Sequence, residues 1–287
     1  MDPSLATRAA SRIGVALCLM LSACAPRVAD HVLHIRGSDS QLHLTWALAQ
    51  AFQHSRPEVT LTLGGGGSGV GLTALIEGTV ELATATRALR PEEAQIAARS
   101  GVAPVLSPLA MDHVVVIVSA QNPVEALSVD ALGELFRGGQ TRWESLGWSG
   151  PVSLCGRQEG SGTRRLLQTR AVRSRYSEQM QELNGQAQVI DAVSQDPGAI
   201  GIISLGAADR LPPTVRVMPL REAPEAPARA PSAADYPLQR WLYQVTDGPP
   251  QGLARDFIAF AHSAEGRQII RDEGFLPLPE DADALGR

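Results

Sequence analysis

Cysteine is scarce in this chain, with three among 287 residues. Cys18 and Cys24 lie near the N-terminus, which leaves Cys155 as the one thiol in the body of the chain. One thiol makes no internal disulfide, so the fold does not rely on one. Cys155 ends an apolar stretch (residues 152–155) and reads as a small buried side chain rather than a nucleophile. Positive charge is not in excess either. Lys and Arg total 25 against 30 Asp and Glu, a net charge of −5, and that balance argues against a nucleic-acid partner. No apolar run reaches bilayer length, and no repeat of fixed period is present. No lysine follows the glycine-rich stretch at a P-loop position, and Gly67-Ser68-Gly69 lacks the spacing of a nucleophile elbow. His31, His34 and His43 sit close in sequence without the Cys or carboxylate pattern of a zinc site, and read as solvated surface histidines.

What is there is a set of three glycine-flanked hydroxyl loops, each before a helix-like segment. They are Gly37-Ser38-Asp39-Ser40, Gly66-Gly67-Ser68-Gly69-Val70-Gly71 and Arg157-Gln158-Glu159-Gly160-Ser161-Gly162-Thr163. A helix N-terminus presents unpaired N–H groups and partial positive charge, hydroxyls add donors, and glycine lets an anion approach the backbone. The third loop also carries Arg157, whose guanidinium suits bidentate contact with an oxyanion. Converging, the three loops form a site for a small tetrahedral anion. Without a general base, a nucleophile pair or a metal, such loops favour binding over catalysis, so neither enzymatic activity nor a cofactor is expected.

The N-terminal region reads as an export signal. Arg8 and Arg12 form a basic segment, residues 13–21 are apolar, and Leu21-Ser22-Ala23-Cys24 follows. This resembles a bacterial lipobox in which Cys24 is lipidated; the alternative is an ordinary signal cleaved near Ala25. Residues 25–31 form a tether and residues 279–287 a loose tail.

Between these ends, strands alternate with helices, which implies an α/β fold with mainly parallel sheets. Strands are expected at 32–36, 59–63, 81–85, 113–119, 152–155 and 200–203, with an extended stretch at 236–245. Helices are expected at about 40–54, 70–77, from Pro91, 127–136, 163–173, 187–195, 253–262 and 264–273. In the first, Leu42, Trp46, Ala49 and Phe52 are expected to form the apolar face.

The order of these segments resembles the phosphate-binding proteins of bacterial ABC importers, over about residues 32–278. The resemblance rests on Ile35-Arg36-Gly37-Ser38-Asp39-Ser40, on residues 64–87 and 127–143, and on Arg157 through Thr163. Asp196-Pro197-Gly198-Ala199-Ile200-Gly201 and Ser263-Ala264-Glu265-Gly266 with Gly274-Phe275 add to it. It implies a two-lobed periplasmic-binding-protein fold (type II), joined by crossing strands and closing on the ligand. One lobe is residues 32–110 plus 236–278; the other is residues 111–235. It implies anion contacts at Asp39, Ser40, Ser68, Thr86, Arg157, Ser161, Gly162 and Thr163, and neighbouring Ser38, Gly69 and Arg87 join the expected set. Ser38, Asp39 and Ser40 also suit a helix cap, and Arg87 equally suits a rim ion pair. The implied function is capture of inorganic phosphate by an exported, lipid-anchored monomer that delivers it to ABC permease subunits.

Two positions depart from the family pattern. A carboxylate that accepts the phosphate proton in many members falls at Thr86, while Asp39 falls where many have threonine. The resemblance therefore moves the acceptor role to Asp39, with Glu159 as the fallback. Rival readings are sulfate or molybdate as ligand, a phosphohydrolase using Ser68 or Ser161, and a lipoprotein with a degenerate pocket. Gly64, Gly66 and Gly69 also fit G-x-G-x-x-G after a strand, but the ribose-binding acid about 20 residues on is missing from a strand end.

Overall fold

A computed structural model describes residues 31–278. The export signal at residues 1–24, the tether up to residue 30 and the tail at 279–287 lie outside the described residues. Residues 32–278 belong to one compact unit.

The first half alternates strand and helix: β1 (Val32–Gly37), α1 (Leu42–Ser55), β2 (Thr60–Gly64), α2 (Ser68–Ile76), β3 (Leu82–Ala85) and α3 (Pro91–Arg99). Then come β4 (Pro104–Ser119), β5 (Leu127–Ser128), α4 (Val129–Arg137), β6 (Ser153–Arg157), α5 (Gly162–Leu167), β7 (Gln181–Leu183), α6 (Gln186–Gln195) and β8 (Ala199–Ser204). The chain finishes with β9 (Val215–Met218), β10 (Leu220–Arg221), β11 (Gln239–Asp247), α7 (Gly252–His262), α8 (Ala264–Asp272) and β12 (Leu276–Pro277).

The main sheet runs β2-β1-β3-β11-β4-β8-β6-β7, with β9 and β12 also paired to β4. At one end β2, β1 and β3 are parallel; at the other β8, β6 and β7 are parallel. Parallel strands need crossover connections, and the helices between them supply these. In the middle, β4 and β11 run antiparallel to each other and join the two parallel groups. The hydrophobic core divides in the same way. One cluster holds Val114–Val118 of β4, Leu132, Phe136, Trp143, Ile200, Ile202 and Ile203. Another holds Leu33, Ile35, Leu44, Leu48, Phe52, Leu242 and Phe257, and a smaller one gathers Leu72, Leu75 and Ala83.

Three sequence expectations are corrected by this arrangement. Ala49 and Phe52 of α1 are buried as expected, but Leu44 and Leu48 complete its apolar face, while Leu42 is half-buried and Trp46 is 55% exposed. The chain makes a 3₁₀ turn at Asp39–Gln41 before the α-helix begins, which sets the helical phase differently from a helix starting at Ser40. Strand β4 is sixteen residues long rather than seven. Pro104 and Pro108 argue against a strand in sequence, since proline donates no ladder hydrogen bond. Pro108 lies opposite Tyr243, where the β4–β11 register shifts; Ala110 pairs with Leu242, so Leu109 is the bulged residue. Finally, the helix expected at 163–173 is α for six residues and then widens into a π turn at Gln168–Val172, ended by left-handed Arg173.

A candidate oxyanion site at the strand ends

Four strands of the two parallel groups supply the loops of the site from their carboxyl ends. Gly37 ends β1, Gly64 ends β2, Ala85 ends β3 and Arg157 ends β6, and the three hydroxyl loops leave from three of them. Open α/β sheets hold ligands at such carboxyl ends. The turn after β1 needs glycine. Gly37 has φ +150°, and a Cβ there would stand 2.0 Å from the Thr84 carbonyl oxygen. The next residue, Ser38, donates its N–H to that carbonyl and to Thr84 Oγ1, both at 2.9 Å.

The loops meet across the strand ends. Ser40 Oγ lies 3.2 Å from Thr163 Oγ1, and Ser68 Oγ lies 3.3 Å from Thr86 Oγ1 while accepting the Thr86 N–H at 3.0 Å. All four residues are buried. Gly162 is pressed against this group so closely that a Cβ would fall 1.8 Å from Thr86 Oγ1. The N–H of Gly69 donates to the Gly160 carbonyl at 3.3 Å, and Gln158 donates to the Gly66 carbonyl at 3.3 Å. Ser161 Oγ accepts the Arg164 N–H at 3.4 Å, as the cap of α5.

Arg157 is 1% exposed. Its Nη2 donates to Asp39 Oδ2 at 2.7 Å and to the Asn184 carbonyl at 2.9 Å, and its Nε to Gln158 Oε1 and the Leu183 carbonyl. Its Nη1 is buried without a hydrogen-bond partner. Burial pushes the guanidinium pKa down, the Asp39 carboxylate holds it up, and the positive charge of Arg240 pushes it down again.

Arg240 is the residue that loop reasoning missed. It lies on crossing strand β11, buried, and its Nη1 donates to Thr163 Oγ1 at 2.8 Å and to Thr86 Oγ1 at 3.3 Å. Its Nε and Nη2 both donate to Asp112 Oδ2, at 2.9 and 2.7 Å. Asp112 Oδ1 in turn accepts Ser204 Oγ at 2.7 Å and the Leu205 N–H at 3.3 Å. The pattern Leu238-x-Arg240-x-Leu242 carried a signal, because period two puts the arginine on the same face as two buried leucines. The chain contains no lysine at all, so every fixed side-chain cation is a planar guanidinium fork.

Three expected contributors have other partners. Arg87 turns its fork onto Glu93, with Nη1–Oε2 at 2.6 Å and Nη2–Oε1 at 2.7 Å, and so forms the rim ion pair of its two readings. Glu93 also accepts the Arg90 N–H at the start of α3. Asp39 gives Oδ2 to Arg157 and Oδ1 to the Gly66 N–H at 3.2 Å, so its carboxylate orients the cation and ties two loops. Glu159 is 86% exposed, 3.9 Å from Arg90, and stands outside the hydroxyl group. Cys155 is buried; desolvation pushes its thiol up to about 11, with the charge of Asp196 adding to the effect, which suits packing and not nucleophilic chemistry.

The chain matches the family model described as the PBP superfamily domain over residues 22–265. It is 27% identical over 264 residues to the phosphate-binding protein PstS of Pseudomonas aeruginosa, covering 85% of this chain and 82% of that one. It is 26% identical over 256 residues to PstS of Bacillus subtilis, covering 86% and 81%. Among solved structures, it is similar to a substrate-binding protein of Clostridium perfringens, crystallised with bound phosphate. That pair has a TM-score of 0.76 and 26% identity, over 87% of this chain and all of that one. A phosphate transport receptor of Vibrio cholerae shares the fold at a TM-score of 0.68 and 23% identity, over 86% of this chain and all of that one.

Proposed function

We infer that this chain, which belongs to the PBP superfamily, is a binding protein that captures inorganic phosphate and delivers it to an ABC importer. It is not an enzyme. The fold is the two-lobed type II arrangement, with β4 and β11 as the crossing strands. We assign one lobe to residues 32–110 plus 236–278 and the other to residues 111–235; the separate hydrophobic clusters support a division near these bounds, except that Tyr236 and Leu238 pack with the second.

The observation that carries the reading is the buried, unpartnered Nη1 of Arg157, close enough to Arg240 to feel its charge, while Arg240 in turn donates to Thr86 and Thr163 among four buried hydroxyls. An unpaired buried donor costs free energy, and two like charges in a dry site repel. A tetrahedral anion placed among them removes both penalties. Ser40, Ser68, Thr86 and Thr163 then donate to the anion instead of to one another, and Arg157 and Arg240 supply the charge. Asp39 and Asp112 hold the two forks in place. Gly162 permits the close approach of the loops. In this reading Ser38, Gly69 and Ser161 shape the walls.

The test is ligand-dependent thermal unfolding with phosphate, nucleotides, chloride and simple sugars. Phosphate at about 100 times its Kd is expected to stabilise the protein by about 2.7 kcal/mol, and the others not to. No shift with phosphate would remove the function.

Export and anchoring extend the same reading. No helix among the described residues is long and apolar enough to cross a membrane. We assign attachment to lipid on Cys24, with the mature protein monomeric; one acyl chain holds a protein only marginally, so stable anchoring requires more than one. Cys24→Ala is expected to move the protein from the membrane fraction to the soluble exported fraction, or to leave it unprocessed. Mass spectrometry of the mature N-terminus decides the point, and an unmodified N-terminus at Ala25 or beyond would contradict it.

A further inference from the structure

We propose that Gln158 is a closure latch: with Arg157, Asp39 and Gly66 it completes a ring of hydrogen bonds across the cleft that slows release of the captured anion without touching it. The inference rests on the phosphate-capture reading and the lobe division above, and adds what sets the rate of release.

Each member of the ring bonds to two others. Arg157 Nη2 donates to Asp39 Oδ2 at 2.7 Å, and Asp39 Oδ1 accepts the Gly66 N–H at 3.2 Å. The Gly66 carbonyl accepts Gln158 Nε2 at 3.3 Å, and Gln158 Oε1 accepts Arg157 Nε at 3.1 Å, which closes the circuit. Asp39 and Gly66 belong to one lobe, Arg157 and Gln158 to the other, so the ring crosses between the lobes twice. Gly66 serves both neighbours through its backbone, at a φ of +117° that favours glycine. Position 158 has to offer an acceptor to Arg157 and a donor to Gly66. An amide supplies both, whereas a carboxylate supplies acceptors alone.

The ring engages Nε and Nη2 of the guanidinium and leaves Nη1 over for the anion. Both polar atoms of the Gln158 amide are engaged in the ring, so Gln158 is a positioning residue that acts through Arg157 and Gly66. The ring runs outward from buried Arg157, through half-buried Gln158, to exposed Gly66. The two residues that follow also reach the other lobe: the Gly160 carbonyl accepts the Gly69 N–H at 3.3 Å, and Glu159 stands 3.9 Å from Arg90. The Glu159 pair is exposed and contributes little. The Gly160 bond is made by backbone alone. Gln158 is therefore the side chain that ties the third loop across the cleft. Contacts of this kind form as the lobes close, after the anion has entered, so their loss shows in dissociation and not in association. One ordinary hydrogen bond changes such a rate by roughly two- to tenfold.

The experiment loads the protein with radiolabelled inorganic phosphate, chases it with unlabelled phosphate to obtain koff, and takes Kd from calorimetry, so that kon follows from their ratio. It compares the wild type with Gln158→Ala and Gln158→Glu, with circular dichroism confirming that both fold. Gln158→Ala removes both amide bonds of the ring and is expected to release phosphate roughly 3–10-fold faster, with kon within about twofold of the wild type. Gln158→Glu keeps the acceptor for Arg157 but loses the donor to Gly66, and is expected to release phosphate at least as fast as Gln158→Ala. Wild-type koff in both variants would overturn the latch while leaving phosphate capture intact. Wild-type koff in Gln158→Glu alone would reduce Gln158 to an orienter of Arg157 and overturn the latch as well. A loss of affinity carried by kon would do the same. Failure of the wild type to hold labelled phosphate would remove both the latch and the function it rests on.

Discussion

Arg157→Ala is expected to reduce phosphate affinity by about 2–5 kcal/mol, roughly 30- to 4,000-fold. The guanidinium is 1% exposed, and one of its nitrogens has no protein partner. A charge-assisted bond from that nitrogen forms in a site screened from water, where such bonds are strong. The substitution also frees Asp39, whose carboxylate is partly solvated at 19% exposure and so tolerates the loss of its cation. The fold is therefore expected to survive. Calorimetry gives the affinity and circular dichroism the folded fraction. Wild-type affinity in a folded variant would take Arg157 out of the site.

The largest effect on stability is expected from Asp112→Ala. Arg240 and Asp112 are 3% and 0% exposed at their side chains. Removing the carboxylate leaves a buried guanidinium with its Nε and Nη2 unpaired and strips Ser204 and Leu205 of their acceptor. Breaking a buried pair from one side costs about 3–5 kcal/mol, because a charge is left without compensation. At roughly 2–4 °C per kcal/mol for a domain of this size, Tm falls by about 6–20 °C. The double variant Asp112→Ala, Arg240→Met is expected to recover much of this loss, since it removes the stranded charge as well, yet to bind phosphate poorly. A Tm unchanged in Asp112→Ala would mean that Arg240 reaches solvent or another carboxylate. Full binding by the double variant would exclude Arg240 from the site.

The two halves of the site were not equally legible in the sequence. The loops announce themselves because glycine, serine and threonine cluster at strand ends, and there the local chemistry is also the functional chemistry. Ser40, Ser68 and Thr163 of these loops meet in space with Thr86, a position that the family resemblance and not the loop pattern supplied. Arg240 and Asp112 belong to crossing strands, where each sits with one polar neighbour, Gln239 and His113, among mainly apolar residues. Their meaning depends on a β4–β11 pairing between residues more than 120 apart, which no local pattern encodes. Asp39 and Arg87 show the opposite difficulty. Both residue types suit an anion site, and only the positions of Arg157 and Glu93 reveal that each already has a partner. The fold was legible from alternating strands and helices. Its long crossing strand was obscured by Pro104 and Pro108, which β4 accommodates near its outer end and beside a bulge.

The central claim is tested most directly by a crystal structure of the protein grown with phosphate. The account predicts one anion at the ends of β1, β2, β3 and β6, within hydrogen-bond distance of Arg157 Nη1 and of the Ser40, Ser68, Thr86 and Thr163 hydroxyls. Arg240 is expected to keep Asp112 on one edge of its fork and face the anion with the other. An anion held instead in the outer groove lined by Arg87, Arg90, Arg164 and Arg165, with Arg157 Nη1 still unpaired, would contradict it.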